Sequence, residues 1–178
     1  KTYLLASICV LTGVTGSNTL AGSQFFNEDN GRTVLHAARC LARITSDSAQ
    51  SVYWSYVAHR AELVELTLDS PETLAVARLV CLTRIVGRNG LQKLQDAWDM
   101  ICDIDRVSLT ECLLADGIDT PAFTFVFLPL YFANAKANSK ITLSDALQCL
   151  VNVLRKLEYA NCFAMTDATT VHVNIESL

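Results

Sequence analysis

The sequence predicts an all-α protein: a single-domain bundle of about five to seven helices, to which short terminal β-strands can be added. Three observations lead to this fold class. Apolar residues recur at helical spacing along most of the chain, the seven glycines and three prolines are few, and capping residues stand where the periodic segments begin. A chain of 178 residues can bury one hydrophobic core. We expect an apolar N-terminal arm over residues 1–27 and a helical domain over residues 28–178.

The first two helices of the domain are predicted from their capping residues. Asn30 can cap a helix that runs to about Ile44. Ser46 or Ser48 can cap a second, longer helix that continues towards Leu68. The second helix carries an aromatic patch at helical spacing, which consists of Tyr53, Trp54, Tyr56 and His59. Core packing is the expected role of this patch, and a ligand or partner surface is the alternative.

The third predicted helix has a strong start signal. Ser70 can cap it, Pro71 fits its first position, and Glu72 places an acid in its first turn. Gly87 is well placed as its C-terminal stop, so the helix should span residues 71–86. Because this helix is apolar nearly all round, we expect it near the centre of the bundle.

Three more helices follow. An apolar stripe with acids on the opposite face indicates the fourth: Leu91, Leu94, Trp98, Ile101 and Cys102, with Asp96, Asp99 and Asp103 opposite. Ser108 and Glu111 form a capping box for a short fifth helix that Gly117 ends. Thr142 opens the sixth, and its leucines draw one continuous seam. We expect this seam to pack on the central helix. Its members are Leu143, Leu147, Leu150, Leu154 and Leu157.

Two stretches depart from the helical pattern. Residues 120–135 carry no charge and alternate three phenylalanines before Pro129, which predicts either a strand or a helix kinked at that proline. Residues 170–175 alternate as a strand does, and the N-terminal run is also rich in β-forming residues. These segments are the candidates for the terminal β-strands.

The N-terminal arm carries a single charge, Lys1, before an apolar run over residues 3–14. This resembles the front of a secretory signal, with residues 14–16 or 19–21 as candidate cleavage points. The apolar run is well short of the roughly 18 residues that a membrane span needs, so no span is predicted. Lys1 in place of methionine indicates a terminus made by proteolysis, by polyprotein cleavage or as the boundary of an expressed fragment.

The composition favours a protein that buries surface against partners. Hydrophobic residues make up 51% of the chain, charged residues only 18%, and the mean hydropathy is +0.30. Because these charges are too few to cover a fully solvent-exposed surface, part of the surface should be apolar and buried in contacts with partners. The net charge of −4 argues against broad binding to polyanions but leaves room for a local basic site.

The seven cysteines show no metal-binding spacing, because the chain has no CxxC pair. We therefore predict no structural zinc and no cofactor. In an intracellular subunit the following cysteines should be reduced and buried: Cys40, Cys81, Cys102, Cys112 and Cys149. If the segment with Cys9 were removed, six cysteines would remain, an even number that fits three disulfides.

No local motif indicates catalysis, and the protein is not predicted to be an enzyme. His36 and Cys40 lie one helical turn apart, as in half of a metal site, but no second pair completes it. We interpret them as neighbours on one helix face. The densest acid group is interpreted as a solvated helix face, since it lacks the central glycine of a calcium loop. It consists of Asp96, Asp99, Asp103 and Asp105.

The basic residues are the candidate contacts of this chain. Arg32, Arg39 and Arg43 fall on one face of a helix, and Arg84 and Arg88 make a second pair one turn apart. Guanidinium groups in such rows bind the phosphates of RNA or DNA, or the carboxylates of a neighbouring subunit. Residues 30–95 hold eight bases and five acids, whereas residues 96–119 hold seven acids and one base. If these segments form different faces, copies can join head to tail.

These features favour a non-enzymatic structural subunit, coat-like, capsid-like or scaffold-like, that forms homo-oligomers through its arm and its segregated charged faces. Its expected location is intracellular or within an assembled particle, with a nucleic-acid backbone as an additional partner. The alternative is a secreted, disulfide-stabilised helical ligand or effector. It rests on the signal-like start and the six remaining cysteines. An enzyme of unfamiliar type is a third interpretation, because helical enzymes often lack local motifs.

Overall fold

A computed structural model describes residues 28–115, 122–123, 128–159 and 170–171. Over these residues the chain forms seven α-helices and one pair of two-residue β-strands, which confirms the predicted all-α fold class. The chain divides into two compact units, residues 1–56 and residues 57–178. The predicted arm, residues 1–27, lies outside the described residues, so its boundary stays a prediction.

The first unit contains α1 (Glu28–Ala42) and the beginning of α2 (Ala49–Glu62). Helix α1 begins two residues before the predicted cap at Asn30. Of the two predicted caps for α2, Ser48 is the one used, because the backbone N–H of Ser51 donates to Ser48 Oγ at 3.1 Å.

Helix α2 ends at Glu62 in the second unit, earlier than the predicted end near Leu68. The reason is Glu65, which takes a left-handed conformation with φ of 61°. The N–H of Glu65 then donates to the Glu62 carbonyl at 3.0 Å, and that of Leu66 donates to the Ala61 carbonyl at 2.9 Å. This is the Schellman arrangement, which satisfies the last carbonyls of a helix and stops it.

The second unit holds the remaining helices and the strands. The helices are α3 (Pro71–Thr83), α4 (Gly87–Asp99), α5 (Asp103–Leu114), α6 (Leu128–Ala137) and α7 (Leu143–Tyr159). Strand β1 (Ala122–Phe123) pairs in parallel with β2 (Thr170–Val171). The segment at 120–135 therefore contains a strand followed by a helix. Pro129 lies in the first turn of α6, where a missing N–H breaks no helical bond.

Helix α3 is the centre of this unit, as predicted. It packs on α4, α5 and α6, and its most buried members are Ala75, Ala77, Leu79 and Val80. Leu82 and Ile85 are half-buried against the same core. Ser70 begins the helix as expected, since its Oγ accepts the N–H of Thr73 at 3.2 Å while Thr73 Oγ1 accepts the N–H of Ser70 at 3.0 Å.

The predicted end of α3 at Gly87 is wrong by one turn. The helix stops at Thr83, and Arg84 takes the left-handed conformation with φ of 52°. The N–H of Arg84 donates to the Cys81 carbonyl at 3.3 Å, and that of Ile85 to the Val80 carbonyl at 3.2 Å. This is a second Schellman arrangement, with arginine at the position where glycine is usual. Gly87, with φ of 74°, instead begins α4.

Helix α7 begins where predicted, because Thr142 Oγ1 accepts the N–H of Asp145 at 3.1 Å and Asp145 Oδ2 accepts the N–H of Thr142 at 2.9 Å. Its buried seam includes Leu147, Leu150 and Leu154. The side chain of Leu157 is not among those that the structure describes. The main partner of α7 is α4 rather than the expected α3. Each of these two helices is polar on one side and apolar on the other, and their apolar sides pack against each other.

Helix α5 begins at Asp103, one turn and more before the predicted Ser108 start. The extended backbone of Cys102 precedes it, and Asp103 and Asp105 lie in its first turn, where acids are favoured by the helix dipole. Cys102 is therefore exposed at the junction of α4 and α5, and not in the apolar stripe of α4. The predicted stop at Gly117 lies outside the described residues.

Candidate functional site

The predicted arginine stripe lies in the first unit, where nearby acids engage two of its members. Arg32 pairs with Glu28 one turn earlier on α1. Arg43 pairs with Asp47, and this contact, aided by Ser46, holds the pKa of Asp47 below its ordinary value. Arg39 is exposed. Two of the three charges are thus partly neutralised within the chain, and surface pairs of this kind are weak enough to be exchanged.

The aromatic patch of α2 is half-buried and contacts α1. Tyr53 and Trp54 meet edge to face with ring centres 5.1 Å apart, and Tyr56 stacks on His36 at 6.0 Å. His36 Nε2 lies 3.2 Å from the buried Cys40 Sγ. Across the described ranges no group of three or more His, Cys, Asp or Glu residues could hold a metal ion.

The five described cysteines form no disulfide, and they differ in exposure. Cys40 and Cys112 are buried as predicted, and Cys81 is half-buried. Cys102 and Cys149 are exposed, so the expectation of burial is wrong for both. Cys102 is exposed because it is the extended residue before α5 and does not belong to the apolar stripe of α4. Cys149 lies outside the leucine seam of α7, between the buried Leu147 and Leu150 in sequence.

The second pair of predicted contacts belongs to a helix with opposite charges at its two ends. Arg84 lies just before α4 and Arg88 lies in its first turn, where it pairs with Glu65 at 3.6 Å. Lys93 lies at the midpoint of the helix, and Asp96 and Asp99 lie in its last turn. All five side chains are exposed. An α-helix is itself positive at its N-terminus and negative at its C-terminus, so these charges reinforce the dipole instead of offsetting it. The 13 residues of α4 separate the two ends by about 18 Å.

Exposed apolar residues accompany both charged ends. Val86, between Arg84 and Arg88, is 54% exposed. At the other end Met100 is 73% exposed and Ile104 is 78% exposed, and Val107 follows one turn later on α5. Large apolar side chains this exposed, set among charges, are typical of surfaces that contact other proteins.

The acidic end of α4 borders a groove of about 350 Å³ between α3, α4 and α5. Its polar lining consists of Glu72, Thr73, Gln92, Gln95, Asp99 and Arg106, and its apolar lining of Leu66, Val76 and Trp98. Trp98 Nε1 donates to Glu72 Oε1 at 2.6 Å, which fixes α3 against α4 at the floor of the groove.

Arg106 ties three carboxylates from three helices together at this groove. It bonds to Asp103 and lies 3.7 Å from Asp99 and 3.9 Å from Glu72. The hydrogen bond that Arg106 donates to Asp103, with the nearby charges of Glu72 and Asp99, raises the pKa of Arg106 above its ordinary value. Three carboxylates face one guanidinium, so the cluster keeps an excess of negative charge.

Asp105 corrects the interpretation of the acid group as a solvated face. Asp96, Asp99 and Asp103 are exposed, but Asp105 is only 5% exposed. Arg155 of α7 donates to it from Nε at 2.8 Å and from Nη2 at 2.7 Å, and Cys102 Sγ donates at 3.1 Å. This pair joins residues 50 positions apart. No local pattern marks such a pairing. For Arg106 the sequence does contain a clue to its role, because it is the one base in the acidic segment over residues 96–119.

Comparison with known proteins finds no matching family model, no matching curated sequence and no matching solved structure.

None of the helices in the described parts of the chain is long and apolar enough to cross a membrane.

Proposed function

We propose that this protein is a non-enzymatic structural subunit that assembles with copies of itself, head to tail, through the two ends of α4. The observation that carries the proposal is the reinforced dipole of α4, with Arg84 and Arg88 at its positive end and Asp96 and Asp99 at its negative end. A contact between unlike ends of two copies is heterologous, and repeated contacts of this kind close into rings or extend as filaments.

The proposal is supported by a stability argument. Bases near the N-terminus of a helix and acids near its C-terminus are each unfavourable by roughly 0.3–1 kcal/mol in an isolated chain. In a head-to-tail assembly the same charges face the opposite end of a neighbour and become favourable. The exposed Val86 at one end and Met100 at the other supply apolar area for the same contact.

The cysteines favour this proposal over the secreted alternative. Three disulfides among the six cysteines after Cys9 would require at least two bonds within the five described ones. Those five form no disulfide. A small secreted protein that depends on disulfides is therefore the weaker candidate.

The test is the native mass of the full chain as a function of protein and salt concentration. We expect sedimentation velocity to show species larger than a monomer that grow with concentration and dissociate as salt rises, because exposed charges are screened beyond about 8 Å at physiological ionic strength. A free-thiol titration on the same sample should find the described cysteines reduced. A strict monomer at all concentrations that carries three disulfides would favour the secreted ligand.

A further inference from the structure

The basic end of α4 contains a residue held in an unfavourable conformation. Arg84 is the left-handed residue of the Schellman arrangement that ends α3, with φ of 52°. For a residue other than glycine this conformation costs roughly 1–2 kcal/mol. Its exposed side chain makes no hydrogen bond or ion pair with another described residue. A strained and exposed arginine of this kind leads to a functional hypothesis.

The segment that carries Arg84 is held in place. Arg60 Nη2 donates to the carbonyl of Ile85 at 3.0 Å, directly after Arg84. The Ile85 side chain packs over Gly90, where a Cβ atom would come within 2.8 Å of Ile85 Cγ2. The backbone that carries Arg84 is therefore fixed before binding, so only its side chain would lose conformational freedom in a contact.

The groove at the acidic end of α4 has the complementary chemistry. Glu72 and Asp99 line it, and Arg106 compensates only part of the negative charge around it. A carboxylate can accept about four hydrogen bonds, so both acids keep acceptor capacity beyond their contacts with Trp98 and Arg106. A planar guanidinium is the group that carboxylates bind most specifically, through paired hydrogen bonds.

The groove cannot be filled by Arg84 of the same molecule. Glu72 lies in the first turn of α3 and Arg84 just after its last turn, so the rise of the helix separates them by about 18 Å. This distance is beyond the reach of one arginine side chain. The two features are complementary only between molecules.

Resting on the proposed self-assembly, we infer that the Arg84 guanidinium of one copy binds in the α3–α4–α5 groove of the next, between Glu72 and Asp99. The occupant of the groove is thus a second copy of this chain, and the groove is incomplete without it. In this contact Val86 of the first copy approaches the exposed Met100 that follows Asp99 in the second.

The sharpest test is Arg84→Gly in the full chain, because folding and assembly should respond in opposite directions. Glycine relieves the left-handed conformation, so thermal unfolding at a concentration low enough to keep the protein monomeric should shift to higher temperature. Self-association followed by sedimentation velocity should weaken about tenfold or more, as expected for loss of a close charge pair across an interface. A stabilised variant that associates as tightly as the unchanged protein would overturn the inference.

A charge exchange tests the partner of Arg84. Asp99→Arg and Arg84→Glu should each weaken association about tenfold, and the two together in one chain should recover most of it. Glu111→Lys and Lys140→Glu, which reverse exposed charges away from both surfaces, should leave association unchanged. Circular dichroism checks the folding of each variant, and Asp99→Lys replaces Asp99→Arg in both the single and the double variant if the arginine unfolds the chain.

The outcomes separate this inference from the proposed function. If the unchanged protein associates but the double variant does not recover association, the proposed Arg84 contact is wrong and self-assembly stands. If free arginine or a basic peptide binds the groove while the protein stays monomeric, the occupant is another cationic partner and both proposals fall.

Discussion

At the residue scale, the buried carboxylate of Asp105 requires compensating interactions from its neighbours. A carboxylate that is 5% exposed needs a compensating charge and hydrogen bonds, because removal from water costs several kcal/mol. Arg155 supplies both through two parallel bonds, and Cys102 adds a third. The pair connects α5 to α7, so it fixes the position of α5, and with it one wall of the groove, relative to the core.

Replacing Arg155 by alanine tests this role. The change removes the cation from Asp105, and water can partly replace it because Arg155 is 51% exposed. We therefore expect a loss of about 1–3 kcal/mol in the free energy of unfolding, measured by urea denaturation. The adjacent Lys156 is exposed. Its replacement by alanine should change the free energy by less than about 0.5 kcal/mol. Equal effects of the two variants would contradict a structural role for the Arg155 pair.

The thiols should differ in reactivity according to their burial. Burial raises the pKa of Cys81 to about 11, an effect that Arg60 partly opposes. Because thiolate is the reactive form, Cys81 should resist iodoacetamide at pH 8 while the exposed Cys149 reacts. Mass spectrometry of the labelled native protein measures this order. Labelling of Cys81 before Cys149 would contradict the burial of the Cys81 thiol.

The same pKa shift predicts a pH dependence. Since the folded value lies above the ordinary value of 9.0, the neutral Cys81 thiol stabilises the fold below pH 9. This contribution is lost as the pH rises towards 11. The Cys81→Ala variant should therefore lose less stability than the unchanged protein between pH 9 and pH 11, as followed by urea denaturation at each pH.

At the scale of elements, the helix ends are set by a few hydrogen bonds. Helices α3 and α7 begin with reciprocal bonds between a capping hydroxyl and a residue three positions later. Helices α2 and α3 both stop at left-handed residues, Glu65 and Arg84. Neither of these is glycine, so the starts were easier to predict than the ends.

Thr142→Ala tests the start of α7. Loss of the hydroxyl cap should cost about 1 kcal/mol in unfolding free energy, whereas Thr142→Ser should cost much less. Hydrogen bonds from Thr142 lower the pKa of Asp145 below 3.8. That contribution is present above pH 3.8 and is lost as the pH falls further. The difference between Thr142→Ala and the unchanged protein should accordingly shrink in acid. A difference that grows in acid would contradict the cap.

At the scale of the whole molecule, opposite charges lie at the two ends of one helix whose apolar side is buried. Helix α4 is held by α3 and by α7, so its ends are fixed relative to the core of the second unit. Charges on such a rigid element keep their separation and direction. This is the property that a head-to-tail subunit requires, because each added copy must present the next contact in the same orientation.

Residues 1–22 provide a test at this scale, because they belong to the predicted arm and carry a single charge. Such a segment lacks the charge that keeps isolated chains solvated, and we expect a neighbouring copy to cover it. Deletion of these residues should leave the helical circular dichroism spectrum intact and reduce the native mass towards that of a monomer. A truncated protein that assembles normally would remove the arm from the proposal and leave the α4 contact as its basis.

The sequence by itself determined the fold class, the central position of α3 and the starts of α2, α3 and α7. These follow from local physics: the spacing of apolar residues and hydroxyls within three positions of the backbone that they cap. It also determined the segregation of charge along α4, which is a property of neighbouring residues.

Only the tertiary structure decided which distant residues meet. Asp105 and Arg155, Glu72 and Trp98, and the pairing of α7 with α4 join positions far apart in the chain, where no local spacing applies. The left-handed ends at Glu65 and Arg84 belong to the same class, because packing of the following residues overcame the usual preference for glycine there. The groove exists for this reason too: its lining comes from three helices, and packing alone brings them to one place.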